Sequence, residues 1–186
     1  MLNRLRLFLE TIKFAHTLFA LPFAFMSAVW ARRGAPAAAE AALLLVAMVA
    51  ARTAAMACNR VADARLDALN PRTEMRHLPT RILSVASVVL FTAVCSLGFV
   101  AATLLFLPRN PLPLYCSAPV LLFLFGYSFA KRFTSLAHFW LGAALAMAPL
   151  AAWVALRAEI AWAPVILSGA VTLWVAGFDM IYACQD

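Results

Sequence analysis

Long runs of apolar residues, separated by short polar segments, dominate the chain. Six such runs cover about 14–31, 39–59, 82–107, 112–130, 136–156 and 161–183. A run of roughly 18 or more mostly apolar residues is typical of a helix that spans a membrane. The pattern therefore predicts an all-α, polytopic membrane protein with about six transmembrane helices, which satisfy their backbone polar groups internally.

Polar residues interrupt the second run near its end, in the segment CNRVADARLDALNPRT. Asn59, Asp63 and Asp67 are spaced four residues apart, so on an α-helix they fall within an arc of roughly 80°. Arg52, seven residues before Asn59, lies on the same face to within about 20°. Pro71 then predicts the end of the helix, because the residue before a proline resists the α conformation.

Two carboxylates four residues apart repel one another on a bare helix. A cation between Asp63 and Asp67 would remove this repulsion. Oxygen ligands of this kind, together with the amide of Asn59, suit Mg²⁺, which completes its shell with water and phosphate oxygens. The residues alone leave open a second interpretation, a solvated and capped helix end with Asp–Arg pairs such as Asp63 with Arg60.

A second polar face ends the last apolar run, in the segment FDMIYACQD. Asp179, Tyr182 and Asp186 stand at i, i+3 and i+7, which places them on one side of a helix. An ionisable residue within an apolar run is a functional candidate by default. A hydrogen-bonded structural pair of Asp179 and Tyr182 is the alternative.

A third polar group follows the fourth run, in the segment GYSFAKRFTS. Tyr127 and Lys131 stand at i and i+4 and therefore share a helical face. Lys131 and Arg132 would serve equally well as positively charged anchors on the inner side of a membrane.

Charged residues make up only 12% of the chain, about half the fraction of a soluble domain, and the formal net charge is +7. The basic residues lie mainly between apolar runs, so we interpret them as determinants of membrane topology and not as a nucleic-acid-binding surface. With the N-terminus inside, segments 1–13, 60–81 and 131–135 hold ten Lys and Arg residues, against four in the outer loops. This topology places all three polar groups at the inner face.

The meeting of acidic and basic residues at one membrane face predicts a ligand with matching chemistry. Carboxylates bind a metal ion, and metal ions and basic side chains bind phosphates. We expect a diphosphate whose apolar tail lies among the spans. The four cysteines show no C-x-x-C spacing, which argues against a zinc site or disulfides, and His16, His77 and His138 receive no ligand role.

The same residues resemble the UbiA superfamily of intramembrane aromatic prenyltransferases, and most of all its 4-hydroxybenzoate polyprenyltransferase-like branch. The resemblance covers essentially the whole chain as one domain, 1–186. It rests on KFAHTLFALPFA (13–24), ARTAAMACNRVADARLDALNPRT (51–73), GYSFAKRFT (126–134) and GFDMIYACQD (177–186). The N-x-x-x-D-x-x-x-D segment followed by N-P-R-T is the most specific of these.

The resemblance implies a role for each matching position. The ligands of Mg²⁺ would be Asn59, Asp63, Asp67 and Asp186. Asp186 would begin a second metal-binding motif, which Asp179 and Tyr182 would support. The diphosphate end of the donor would be bound by Arg72, Arg76 and Lys131, with Tyr127 beside it. Asp63, Asp67 and Lys131 would act directly in catalysis, and Asp67 is a candidate for the base. Arg52 would meet the carboxylate of the acceptor or pair with Asp179.

The implied reaction is the Mg²⁺-dependent transfer of a polyprenyl group from its diphosphate to an aromatic acid of the 4-hydroxybenzoate type, for quinone biosynthesis. The expected location is the cytoplasmic membrane of a bacterium, with the N-terminus and the site facing the cytoplasm. Family members have about nine spans and a longer second motif, so we expect the sequence to be a fragment that stops within that motif, at Asp186.

Three alternatives remain open at this stage. The acceptor could be a naphthoate for menaquinone or a haem-type molecule. Arg52 and Asp179 could instead line a transport pathway, although the inverted repeats of many transporters are not evident. A non-catalytic membrane segment is the third alternative.

Overall fold

The computed structural model describes residues 7, 8, 10 and 19–184, and within them it is helical, without strands. Its helices are α1 (Leu21–Arg32), α2 (Ala38–Asp67), α3 (Val85–Leu104), α4 (Leu112–Ala130), α5 (Ala137–Arg157) and α6 (Trp162–Ala183). The all-α prediction is confirmed. Helices α2 to α6 are each long and apolar enough to span a membrane. The remaining predicted span, 14–31, begins outside the described residues, and α1 covers its second part.

Helix α2 continues eight residues beyond the predicted end of its apolar run, to Asp67. Arg60, Asp63 and Asp67 are all buried in this extension. They face protein, where oppositely charged side chains can compensate them, so the helix remains stable. The predicted break at Pro71 is confirmed, since the chain turns there and Arg72 N donates a hydrogen bond to Asn70 Oδ1 at 2.9 Å.

The helices pack in two groups. Helix α5 packs against α1 and α6, whereas α2 packs against α3. Helix α4 contacts α2, α3 and α5, and it is the main connection between the groups. Direct contact of α2 with α1 and α5 is slight among the described residues.

Small residues allow the closest of these contacts, as is usual between membrane helices. A Cβ on Gly142 of α5 would lie 2.3 Å from the carbonyl oxygen of Thr172 in α6. Two hydroxyl groups also bind backbone carbonyls of α5: Ser168 Oγ donates to Ala146 O at 2.8 Å, and the fully buried Ser27 Oγ donates to Pro149 O at 2.6 Å. These bonds fix α1 and α6 against α5.

The junction between α4 and α5 is formed by Trp140. Its Nε1 donates to Phe123 O at 2.9 Å, and its ring stacks on that of Phe123 with centroids 5.3 Å apart. A Cβ on Gly126 would lie 2.7 Å from the Trp140 ring. The absence of a side chain at position 126 therefore lets the indole pack directly on α4.

Asn110 connects α4 and α5 at the end of the bundle where α4 begins and α5 ends. It lies between α3 and α4 and is 4% exposed. Its Nδ2 donates to Val154 O at 2.6 Å and to Ala155 O at 3.0 Å. Its Oδ1 accepts from Leu112 N at 3.0 Å, so the side chain joins the start of α4 to the end of α5.

Candidate functional site

The end of α2 and the end of α4 meet through a lysine and two oxygen-bearing side chains. Lys131, the first residue after α4, donates from Nζ to Asn59 Oδ1 at 3.1 Å and forms an ion pair with Asp63 Oδ2. The predicted face of α2 is thus directed at the end of α4. Lys131 Nζ also lies 5.9 Å from the centroid of the Tyr127 ring, as the shared face predicts.

Asp63 is buried, with 6% of its surface exposed. Lys131 binds one of its oxygens, but its Oδ1 is buried without a hydrogen-bond partner among the described residues. An unsatisfied carboxylate oxygen costs free energy in a folded protein, and such a group calls for a ligand or another explanation. The Asp63 side chain therefore retains a free acceptor site inside the polar cluster.

Asp67, one turn further along α2, has a different partner. Arg76 Nη1 donates to both of its carboxylate oxygens, at 2.7 and 2.8 Å. The Thr73 hydroxyl donates to the Asp67 carbonyl oxygen at 3.0 Å, which holds the loop after α2 against the helix end. Arg60, 7% exposed, lines a small pocket together with Asp67 and Arg76. Basic side chains therefore compensate the stacked carboxylates.

Helices α5 and α6 bring a third acidic group to the same end of the bundle. Asp179 Oδ2 lies 2.7 Å from Nδ1 of His138, the second residue of α5. Tyr127 of α4 interacts electrostatically with both Asp179 and Asp63. The polar groups of α2 and α4 are therefore in contact through Asp63 and Lys131, and the polar group of α6 lies at the same end of the helices.

A largely apolar cavity of about 200 Å³ lies beside this cluster, among α1 to α5. Arg52, Asn59 and Tyr127 provide polar groups in its wall. Its aromatic and larger aliphatic lining includes Leu44, Phe99, Phe106, Val120, Leu124, Leu141 and Leu145. The arrangement combines charged groups at the end of the bundle with an apolar space between the helices, as expected for an amphiphilic ligand.

Three sequence-predicted residues are not part of the contacts described above. Arg72 lies exposed in the loop after α2. Tyr182 is 53% exposed and stacks on the exposed Phe178, with ring centroids 6.4 Å apart, so its predicted pairing with Asp179 is not observed. Arg52 lies in the cavity wall, and no contact with Asp179 is found among the described residues. Asp186 lies outside the described residues.

Some of the oxygen atoms in this cluster are suitable ligands for a hard cation such as Mg²⁺. No group of three His, Cys, Asp or Glu side chains converges within the described part of the chain. The carboxylate of Asp63 and the amide oxygen of Asn59 nevertheless bind the same lysine, Lys131. A carboxylate and an amide oxygen are the ligand types that Mg²⁺ uses together with water and phosphate. In this structure both oxygens of Asp67 are bound by Arg76.

His138 is the member of the cluster that the sequence analysis missed. A histidine at the start of an apolar run, next to the basic segment that ends α4, was the available signal. Its partner Asp179 is 41 residues away, and the spacing alone did not show which faces of α5 and α6 meet.

Comparisons with known proteins find similar sequences and similar structures. A sequence profile of the UbiA prenyltransferase family matches residues 20–186. A 4-hydroxybenzoate octaprenyltransferase of Marinobacter nauticus is 33% identical over 161 residues, which is 86% of this chain and 54% of the relative. A protein of the same name from Coxiella burnetii is 35% identical over 173 residues, 91% of this chain and 58% of the relative. The chain thus spans little more than half of these relatives.

Two solved structures share the fold. The apo structure of a UbiA homologue from Aeropyrum pernix K1 has a TM-score of 0.82 and 34% sequence identity, over 92% of this chain and 64% of that one. A structure described as digeranylgeranylglyceryl phosphate synthase in membranes has a TM-score of 0.81, over 97% of this chain and 62% of that one. Its sequence identity is 18%, so this second likeness concerns the fold alone.

Proposed function

This chain belongs to the UbiA prenyltransferase family, and we propose that it transfers a polyprenyl group from a polyprenyl diphosphate to an aromatic acid of the 4-hydroxybenzoate type. Two relatives that carry the name 4-hydroxybenzoate octaprenyltransferase support the choice of acceptor. The observation that carries the proposal is the position of the Asp63–Lys131 pair beside an apolar cavity. This combination suits a substrate with a highly charged head and an apolar tail.

The diphosphate would be bound by Lys131 and Arg76, with Arg72 reaching it from the loop. In the ligand-free structure Lys131 is paired with Asp63 and Arg76 with Asp67. On binding, these cations would turn from the carboxylates to phosphate oxygens, for which Arg and Lys have high affinity. Tyr127, next to Lys131, would lie beside the diphosphate.

The carboxylates released in this way would hold Mg²⁺. Asn59 and Asp63 supply the oxygens that fit best, because Asp63 Oδ1 already lacks a partner among the described residues. Asp67 would join them once Arg76 has moved, and Asp186 remains a proposed ligand from outside the described residues. When bound, Mg²⁺ supplies positive charge that stabilises the departing diphosphate.

The cavity would hold the prenyl tail and protect the reacting carbon. Loss of diphosphate leaves an allylic cation, which water would quench. Apolar lining residues exclude water from this position. The ring of Tyr127 lies in the same wall, and an aromatic face stabilises a nearby cation by about 0.5–2 kcal/mol.

Arg52 would orient the acceptor. Its guanidinium group lies in the cavity wall, in the same helix as Asn59 and about two turns from it. A planar guanidinium binds a carboxylate through two parallel hydrogen bonds. Bound in this way, the acid would present its electron-rich phenol ring toward the allylic carbon, which the ring attacks ortho to its hydroxyl group.

The chain is an integral membrane protein on the evidence of its five spanning helices and its family. We place the polar cluster at the cytoplasmic face of a bacterial cytoplasmic membrane. The support for this orientation is the excess of Lys and Arg in the segments at that end of the bundle.

The decisive experiment is a prenyl-transfer assay of the complete gene product in isolated membranes. Geranyl diphosphate would be offered with 4-hydroxybenzoate and, separately, with a hydroxynaphthoate, with Mg²⁺ and with a chelator. We expect Mg²⁺-dependent prenylation of 4-hydroxybenzoate, abolished by Asp63→Ala and retained by Glu159→Ala, an exposed residue at the opposite end of the bundle. Equal product from the Asp63→Ala protein, at equal membrane content, would refute the site assignment.

A further inference from the structure

The pair of His138 and Asp179 has no role in the proposed binding of metal and diphosphate. The two side chains are 32% and 30% exposed, and they join α5 to α6 through a contact of 2.7 Å. An ionised carboxylate only accepts hydrogen bonds, so Nδ1 of His138 carries the hydrogen and donates it. When the ring is neutral, its Nε2 atom has a lone pair available, and no hydrogen bond to Nε2 is found among the described residues.

The pair lies at the same end of the helices as the charged groups of α2 and α4. Leu141, Leu145 and Ala148 of α5 line the cavity, and they follow His138 by three, seven and ten residues. On a helix this spacing puts all four on one face, with His138 one turn closer to the polar end. Asp179 interacts electrostatically with Tyr127, which itself lines the cavity.

The proposed reaction requires a base. The C–O bond of the donor breaks, and its electron pair leaves with the diphosphate. A C–C bond forms between the allylic carbon and the ring carbon ortho to the acceptor's hydroxyl group. That ring carbon then carries a proton that must be removed to restore aromaticity.

We propose that Nε2 of His138 takes this proton, and that Asp179 is the positioning residue that holds the imidazole ring in the required tautomer and orientation. The inference rests on the proposed function. An imidazole fixed by a carboxylate is well suited to this task, because the carboxylate also stabilises the imidazolium that forms. Water would then take the proton from His138 before the next turnover.

The carboxylates of α2 are less available for this role. Both oxygens of Asp67, the candidate base from the sequence, accept hydrogen bonds from Arg76. Asp63 is paired with Lys131, and its remaining oxygen faces the proposed metal. Nε2 of His138, in contrast, has no place in the proposed metal site and no hydrogen-bond partner among the described residues.

The test is the variant His138→Gln in the complete gene product, assayed in membranes with 4-hydroxybenzoate and with the same acid deuterated at the ring positions ortho to the hydroxyl group. Loss of a general base typically costs roughly a hundredfold or more in rate. We expect kcat to fall by about this factor and a primary deuterium isotope effect on kcat to appear, because removal of the ring proton becomes the slow step. The wild-type protein should show little isotope effect, and added imidazole should restore part of the activity of the variant.

Asp179→Asn keeps the size of the side chain and should give a smaller loss of kcat with the same isotope effect. Glu159→Gln serves as the control and should match the wild type. A fall in kcat without an isotope effect in both variants, or unchanged kcat in His138→Gln, overturns the inference while the proposed function stands. If the wild-type protein transfers no prenyl group to any acceptor, the proposed function itself fails, and with it the role of His138.

Discussion

Lys131 and Asp63 are separated by 68 residues in the chain, yet they form an ion pair that joins the end of α4 to α2. The carboxylate is buried, whereas the lysine side chain is one-third exposed. Together with the hydrogen bond from Lys131 to Asn59, this pair holds the end of α4 against α2 at the polar end of the cavity.

We predict that Lys131→Met destabilises the ligand-free protein more than the double change Lys131→Met with Asp63→Asn. The single variant leaves a buried carboxylate without its cation, which costs about 2 kcal/mol or more. The double variant removes the charge as well. Thermal unfolding of the detergent-solubilised proteins, arranged as a double-mutant cycle with Asp63→Asn alone, measures the coupling. A double variant that loses as much stability as the sum of the two single variants would show that the pair is energetically silent.

Arg76→Lys should weaken the binding of the prenyl diphosphate. Lysine keeps the positive charge but cannot form the two parallel hydrogen bonds that a guanidinium makes with a carboxylate or phosphate. We expect a rise of roughly tenfold in the KM for the donor, which corresponds to about 1.4 kcal/mol, with little change in the KM for the acceptor.

The matched control for this change is Arg109→Lys. Arg109 is largely exposed and lies in the turn between α3 and α4, at the opposite end of the bundle. Steady-state kinetics with varied donor should show no effect there. Similar KM values for the donor in wild type and Arg76→Lys would remove Arg76 from the proposed diphosphate site.

Arg52→Lys should act on the acceptor alone. If Arg52 binds the acceptor's carboxylate, we expect the KM for 4-hydroxybenzoate to rise about tenfold. The KM for 4-hydroxybenzamide, which lacks the negative charge, should change little. The ratio of kcat/KM for the two acceptors, measured in wild type and variant, isolates the recognition of the carboxylate. An equal change for both acceptors would indicate that Arg52 shapes the cavity without recognising the acid.

Gly142→Ala should disrupt the contact between α5 and α6. The added Cβ would approach the Thr172 carbonyl oxygen, which belongs to the backbone and cannot move independently of its helix. Overpacking of this kind typically costs 1–3 kcal/mol, so we predict a loss of about that size in thermal stability. Gly98→Ala in α3 is the control, because nothing lies within 4 Å of its added Cβ. Equal stability of the two variants would contradict the close contact.

The sequence predicted the spans well because hydrophobic length is a local property. It also predicted the polar face of α2, since a four-residue spacing fixes the relative direction of Asn59, Asp63 and Asp67 on any helix. The expected topology, which brings alternate span ends to one side, placed the segments of Asp63 and Lys131 at one face, but it did not predict their ion pair. Each of these predictions needs only the residue pattern within one helix, or the order in which the helices cross the membrane.

The predictions of side-chain partners that were wrong depend on how each helix is rotated about its own axis relative to its neighbours. Tyr182 is three residues from Asp179, but its ring lies on the exposed Phe178, while Asp179 meets His138. The extension of α2 to Asp67 agrees with the predicted break at Pro71, but the partners of its buried carboxylates were not predicted. Its stability comes from Arg76 and Lys131, which reach the helix from other parts of the chain.

The distance between α4 and α5 is set by the thickness of one indole ring, that of Trp140 against Gly126. Helix α4 is the main connection between the two helix groups. The Trp140 ring, which separates α4 from α5, therefore also affects the distance between those groups. A methyl group added at position 126 would collide with the Trp140 ring and push α4 away from α5, because no empty space is left between them. The width of the cavity therefore depends on how the helices pack together, and Gly126, which does not line the cavity, can change it.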